Sequence, residues 1–244
     1  MVHCNAGKGL RKLVFLRHGQ SQWNLENRFT GWHDVPLSQM GHEEAMNAGK
    51  ALKEKNFKFD ISYTSVLRRA IVTHFHVMDQ MDQLHVPVIR SWRLNERHYG
   101  ALTGLNKEET AKKHGQEKVK LWRRSYDIGP PKMDQDHEHN CLKEAKYAHI
   151  PQAMVPMGES LKDTVERTVP FLYDHILQSV LENKDVLVVA HGNSIRAIMK
   201  ILENIPDDKI VDLNLTTGLP YVYEMDHGLQ IQNKYTVDVR PAGR

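Results

Sequence analysis

The sequence predicts an α/β protein of three layers, with a mostly parallel central sheet and helices on both faces. Two observations carry this. Apolar, β-rich runs at Lys12–Arg17 and Asp185–Ala190 each stop at a His-Gly pair, His18-Gly19 and His191-Gly192. Buried strands of a parallel sheet end this way at the edge where such sheets place their chemistry. Elsewhere in the chain, segments of strand and helix pattern alternate, which favours parallel strands joined by crossover helices. The 244 residues fit one large domain. Its expected appendages are a flexible N-terminus over 1–11, a surface insertion over 128–158 and a short C-terminal tail over 233–244.

After the first strand, Ser38 opens a helix over Gln39–Lys55, with Glu43 and Glu44 near its start and lysines near its end, in agreement with the helix dipole. Phe59–Thr64 reads as a second strand, followed by a helix carrying Arg68 and Arg69 in its first turns. His85–Arg90 is a third strand, and Pro87 places it at an edge or a strand end. A helix over Asn106–Lys120 includes Lys107. The stretch Ile128–Gly158 holds four prolines and little periodicity, which is the pattern of a long surface loop. Helix resumes over Ser160–Glu182, kinked or broken at Pro170. A strand at Val186–Ala190 and a helix over Ser194–Leu202 follow. Pro220–Glu224 and Gly228–Gln232 read as a closing hairpin.

Composition narrows the function classes. A net charge of +3 is too mild for nucleic acid as the main partner and suits a small acidic metabolite. Cys4 and Cys141 form neither a metal spacing nor a disulfide framework, so a reducing compartment, the cytoplasm, is expected. No apolar stretch approaches the roughly 18 residues needed to span a bilayer, and no secretory leader is evident, so no membrane association is expected. Of the 15 histidines, the closest pairs are His74/His76 and His137/His139. On a helix the first pair points about 200° apart, the second pair falls in the expected loop, and no metal site is expected.

The two strand ends carry the chemistry. A neutral imidazole is a good nucleophile toward phosphorus, and a second cationic or hydrogen-bonding group can stabilise charge on the transferring phosphoryl oxygens. His18 and His191 can divide these parts. Arg17 precedes the first, and its planar fork suits a phosphate. Arg68-Arg69, Lys107 and Arg123-Arg124 are further basic sites that, taken alone, read as solvated surface. Glu96 reads either as a surface ion pair with Arg93 or Arg97, or as a proton donor and acceptor whose pKa is raised by its surroundings.

Several strings together settle more than any one of them. Leu16–Asn24, Asn27–Trp32, Tyr63–Val66, Trp92–Gly100, Leu102–Lys107, Leu121–Tyr126, Glu159–Thr164 and Ala190–Ser194 closely resemble the cofactor-dependent phosphoglycerate mutases of the histidine phosphatase superfamily. The likeness runs from about Lys12 to about Leu229. It implies that His18 becomes phosphorylated, that Glu96 gives and takes the proton, and that His191, Arg17 and Arg69, with Asn24, stabilise the phosphoryl group in transfer. It further implies that Thr30, Gly31, Tyr99, Lys107, Arg123, Arg124, Gly192 and Asn193 hold the substrate. The cofactor implied is 2,3-bisphosphoglycerate, which primes His18, with no metal. The implied partners are small phosphoglycerates, and the implied assembly is a homodimer or homotetramer, with the edge strand near Val86–Arg90 as a contact.

Three departures from the family pattern bear on these expectations. Gln20 stands where the family usually has glutamate, and a small effect is expected. The loop Met133–Met157 differs and is a few residues shorter. The chain ends at Arg244, where these mutases usually carry a further basic tail over the site, so phosphatase activity is expected to rise relative to mutase activity unless Arg240 and Arg244 substitute. The same residues can also serve a bisphosphoglycerate synthase or phosphatase. Gly31 favours the mutase, because related synthases carry a bulkier residue there. A non-catalytic binding module is the reading from another class, against which stands the retention of His18, Glu96 and His191.

Overall fold

The computed structural model describes residues 9–239, and they form a six-stranded sheet between two helical layers. The strands are β1 (Arg11–Arg17), β2 (Ile61–Thr64), β3 (Val88–Arg90), β4 (Val186–Ala190), β5 (Pro220–Met225) and β6 (Ile231–Thr236), in the order β3-β2-β4-β1-β5-β6. The first four in that order are parallel, whereas β5 runs antiparallel to β1, and β6 to β5. The helices are α1 (Gln22–Leu25), α2 (Gln39–Glu54), α3 (Arg68–Gln80), α4 (Lys107–His114), α5 (Gln116–Arg124), α6 (Leu161–Phe171), α7 (Leu177–Leu181) and α8 (Gly192–Leu202). Among the described residues no helix is long and apolar enough to cross a membrane.

The unbroken apolar runs of β1 and β4 follow from burial on both faces. Leu13, Phe15, Val186, Val188 and Ala190 pack with Phe171, Leu177, Ile195 and Ile198 from α6, α7 and α8. Val14, Leu16, Leu187 and Val189 alternate to the other face and pack with Ala48 and Leu52 of α2 and Val77 and Met78 of α3. The register pairs Arg17 with Ala190, so the two His-Gly turns leave neighbouring strands at the same level. The His18 amide donates to the Ala190 carbonyl at 3.0 Å, which fixes the two turns to each other.

Close backbone approach explains one glycine of the first turn. A Cβ built on Gly19 would stand 2.2 Å from the Gly41 carbonyl oxygen at the start of α2. Backbone on both sides leaves nothing flexible to yield. Gly19→Ala is therefore expected to destabilise the fold by about 2–3 kcal/mol, the usual cost of forcing atoms into a packed site. Urea unfolding measures this, and an unchanged midpoint would contradict the close approach.

Several elements differ from expectation. The single helix expected over Asn106–Lys120 is two: Gly115, at φ +87°, ends α4 and starts α5, and α5 runs on to carry Arg123 and Arg124 in its last turn. Pro170 lacks the N–H for the Glu166 carbonyl, yet the helix continues through one π turn (Leu172–Ile176) into α7. The hairpin's second strand begins at Ile231 rather than Gly228, after a turn in which Asp226 Oδ1 accepts from the Gly228 and Gln230 amides. It reaches Thr236, so the expected tail begins inside a strand. The expected N-terminal segment likewise overlaps β1 at Arg11; residues 1–8, Arg240 and Arg244 lie outside the described residues.

The insertion over 128–158 is more than surface loop. Cys141, Tyr147, Ile150 and Val155 are buried against Trp32 in a small core of their own. Its ends are tied by Met133 N–H to the Met157 carbonyl and Ala101 N–H to the Pro131 carbonyl. Periodicity could not reveal this, because the apolar residues sit on irregular turns.

Candidate active site

His18 and His191 leave the carboxyl ends of β1 and β4 with their ring centroids 4.9 Å apart. Both rings are buried, at 3% and 0% exposure. His18 Nδ1 lies 2.7 Å from the Gly19 carbonyl; a carbonyl can only accept, so Nδ1 carries the hydrogen and Nε2 keeps its lone pair. Arg69 Nε donates to that Nε2 at 3.3 Å. Burial first, then Arg69 and Arg17, push the His18 pKa well below 6.5. Burial, Arg69 and His18 act the same way on His191. Neutral imidazoles result, as a nitrogen nucleophile requires.

The cations are held by backbone carbonyls rather than carboxylates. Arg69 donates to the carbonyls of Gly31 (2.7 Å) and His33 (3.0 Å), and Arg17 Nη1 to that of Leu215 (2.7 Å). Their charge therefore stays available to a ligand. Arg17 Nε and Thr30 Oγ1 are buried without a partner among the described residues, and such orphaned groups mark places where a ligand oxygen would complete the bonding. Asn24 sits at the start of the site with its Oδ1 accepting from the Ser21 amide.

Glu96 is neither of the surface ion pairs considered for it. The residue is 9% exposed, and its Oε1 accepts from the Arg97 amide (2.7 Å), the Asn193 amide (3.2 Å) and Asn193 Nδ2 (2.8 Å). Three donors on Oε1 leave Oε2 as the oxygen able to take a proton. Gly192 lies between Arg17 and Glu96: a Cβ there would stand 3.6 Å from Arg17 Nε and 3.7 Å from Glu96 Oε2. Backbone alone thus separates the Arg17 guanidinium from Glu96 Oε2.

All the residues expected to form the site converge on one cleft of about 170 Å³, except that His191 lies just behind its wall. Lys107, Arg123 and Arg124, delivered by α4 and α5, line the same cleft, with Tyr99 beside Lys107. Burial lowers the Lys107 pKa. Gly31, at φ +55°, places its peptide against the Tyr99 amide, and a Cβ there would approach that nitrogen to 3.0 Å. The volume is below the roughly 300–1,000 Å³ of pockets for drug-sized ligands, and it suits a compact molecule. Seven cationic side chains and one carboxylate line it, which selects for several negative charges. Gln20 is not among the lining residues; its side chain accepts from Ser38 Oγ at 2.8 Å.

Sequence reasoning gave no role to Arg28, Arg196 or Ser65. Arg28 and Arg196 line the cleft. Arg196 donates to Asn193 Oδ1 (3.3 Å) and so turns the Asn193 amide nitrogen toward Glu96. Ser65 Oγ lies 2.7 Å from His191 Nε2. Arg196 lies three residues, about one turn of helix, beyond Asn193, a spacing that could have flagged it. Of the paired histidines, His74 bonds Ser62 and His76 bonds His42, on different sides of α3.

Buried neutral histidines also set the acid stability. Burial holds His74 at about 4 and His98 at about 3. Below 6.5 the unfolded chain takes protons that the folded chain refuses, so stability falls with pH. Each of the two contributes a loss of about 1.4 kcal/mol per pH unit while the pH lies between its folded and unfolded values. Urea unfolding at about pH 7 and about pH 5 is expected to show a clear loss at the lower pH, and equal stability would contradict it.

The comparisons with known proteins agree with this architecture. Solved structures of similar fold include mycobacterial hydrolase 1 (23% identity, 93% of this chain and 96% of that chain, TM-score 0.70). A mycobacterial glucosyl-3-phosphoglycerate phosphatase is alike over 93% of this chain and 97% of that chain, at 23% identity and TM-score 0.68. The α-ribazole phosphatase of Shigella flexneri is alike over 96% and 99%, at 19% identity and TM-score 0.67. At such identities the likeness bears on the fold. A family model covers nearly the whole sheet and the cleft, matching residues 13–236, and the chain belongs to the histidine phosphatase superfamily, branch 1.

Proposed function

We propose that this chain interconverts 3-phosphoglycerate and 2-phosphoglycerate through a phosphohistidine at His18. The observation that carries the reading is the pairing of two anion sites in one small cleft. Arg17 and Arg69, beside His18, form one, Lys107, Arg123 and Arg124 the other, and Glu96 Oε2 faces Arg17 across Gly192. A phosphate monoester carries about −1.5 to −2 charges, so an acid bearing phosphate and carboxylate matches the cation excess. The unpartnered Arg17 Nε and Thr30 Oγ1 fit the oxygens of such a group, and 2,3-bisphosphoglycerate would supply the phosphoryl group that primes the enzyme.

In this reading His18 Nε2 attacks phosphorus while Arg17 and Arg69 spread the charge on the equatorial oxygens, and the His191 ring, packed against His18 behind the cleft wall, backs the nucleophile. Glu96 Oε2 protonates the departing hydroxyl oxygen in one half-reaction and deprotonates the incoming one in the other. Lys107, Arg123 and Arg124 keep the acid in the cleft while its two hydroxyl positions exchange places before His18. No metal is called for, since the guanidinium groups supply the charge stabilisation.

A bisphosphoglycerate synthase or phosphatase is the second reading. Gly31 favours the mutase, because its positive φ and the 3.0 Å approach to Tyr99 leave no place for a bulkier residue. Coupled assays of 3-phosphoglycerate conversion, with and without 2,3-bisphosphoglycerate, beside release of inorganic phosphate, separate the two. The mutase reading expects primer-dependent isomerisation that outpaces phosphate release. Activity that needs manganese and no primer would exclude it.

A further inference from the structure

The backbone that presents Glu96 is fastened by an ion pair outside the cleft. Glu159 and Arg167, the latter on α6, are buried at 2% and 7% exposure. Arg167 Nε meets Glu159 Oε1 at 2.7 Å, and Nη2 meets Oε2 at 3.0 Å. The rest of the guanidinium faces a run of carbonyls. Nη1 donates to those of Trp92 (3.3 Å), Arg93 (2.8 Å) and Asn95 (3.3 Å), and Nη2 to those of Asn95 (3.4 Å) and Glu96 (3.3 Å). On the other side of Glu96, the His98 amide donates to Glu159 Oε2 at 2.7 Å, and the Glu159 amide donates to the His98 carbonyl at 2.8 Å.

The chemistry of the loop explains why a charged pair is spent here. Trp92–Leu94 is a single 3-10 turn, and the segment then runs irregularly, leaving its carbonyls pointing one way. Only a planar group with five donors can satisfy several of them at once. Lysine offers a point charge without that fan. The carboxylate of Glu159 in turn orients the guanidinium and neutralises it in the interior.

We propose that Glu159 and Arg167 are positioning residues for proton transfer: by clamping residues 92–98 on both sides of Glu96 they set where Oε2 stands relative to the reacting hydroxyl. Neither side chain lines the cleft, so they act through the segment that carries Glu96. This rests on the reading of Glu96 as the proton carrier. In the step concerned, a bond forms from His18 Nε2 to phosphorus, the bond from phosphorus to the glycerate oxygen breaks, and that oxygen takes the proton from Glu96 Oε2.

The choice of leaving group isolates this role. The alkoxide of a phosphoglycerate needs the proton, whereas the aryloxide of p-nitrophenyl phosphate departs without one. Arg167→Lys and Glu159→Gln are expected to lower phosphoglycerate turnover about 10²-fold, the order of loss a misplacement of about 1 Å produces, and to change the rate of the first-turnover burst of nitrophenolate, in which the phosphoryl group passes to His18 and no acceptor hydroxyl takes part, less than about threefold. Glu96→Gln is expected to show the same selectivity. Equal losses on both substrates by the clamp variants, or no loss on either, would overturn the inference while leaving the reading intact. A Glu96→Gln enzyme without that selectivity would overturn the reading, and the inference with it. If Arg167→Lys does not fold, Glu159→Gln carries the test, because its amide keeps one acceptor oxygen for the guanidinium.

Discussion

Replacing His18 by alanine is expected to lower phosphoglycerate turnover by at least about 10⁴-fold, because the covalent route then has no acceptor for the phosphoryl group. The ring is irreplaceable for reasons visible around it. Its Nδ1 is committed to the Gly19 carbonyl, its Nε2 faces Arg69, and burial with two guanidinium groups keeps it neutral. No neighbour substitutes, since the other imidazole, His191, is fully buried and does not line the cleft. The fold should survive, because alanine leaves the main-chain bond from residue 18 to Ala190 intact. Steady-state assays beside circular dichroism check this. A folded variant retaining more than about a hundredth of the activity would point to another nucleophile.

Glu96→Gln should have the second-largest effect, a loss of about 10²–10⁴-fold in phosphoglycerate turnover, the usual share of general acid–base catalysis. Glutamine is nearly isosteric. Its carbonyl oxygen can keep the three bonds that Oε1 accepts from Arg97 and Asn193, so binding should hold and KM change little. What disappears is the exchangeable proton at the second oxygen. Labelling of His18 by 2,3-bisphosphoglycerate should slow in step with turnover. A variant with near-normal kcat would show that another group moves the proton.

How much of this was legible in the sequence depends on the range of the interactions involved. The central strands could be read because burial on both faces writes an unbroken apolar run, and the two His-Gly turns lie side by side because adjacent parallel strands end in register. The convergence of Lys107, Arg123 and Arg124 on that point could not be read from spacing. It depends on Gly115 breaking the helix at φ +87°, which redirects α5, and only the family resemblance anticipated it. Arg196 looked like one more arginine on a helix until its bond to Asn193 tied it to Glu96. The insertion hid its core because Cys141, Tyr147, Ile150 and Val155 follow no period and find Trp32 only in three dimensions. Glu159 and Arg167 are eight residues apart, and nothing local shows that both serve a loop some seventy residues earlier.

The most direct measurement is a pulse and chase of the phosphoenzyme. Incubated with 2,3-bisphosphoglycerate carrying labelled phosphate, the protein should acquire an acid-labile, alkali-stable label that peptide mapping places on His18. On addition of unlabelled 3-phosphoglycerate that label should pass into the phosphoglycerate pool. Turnover without any label on His18, or label that leaves only as inorganic phosphate, would contradict the account.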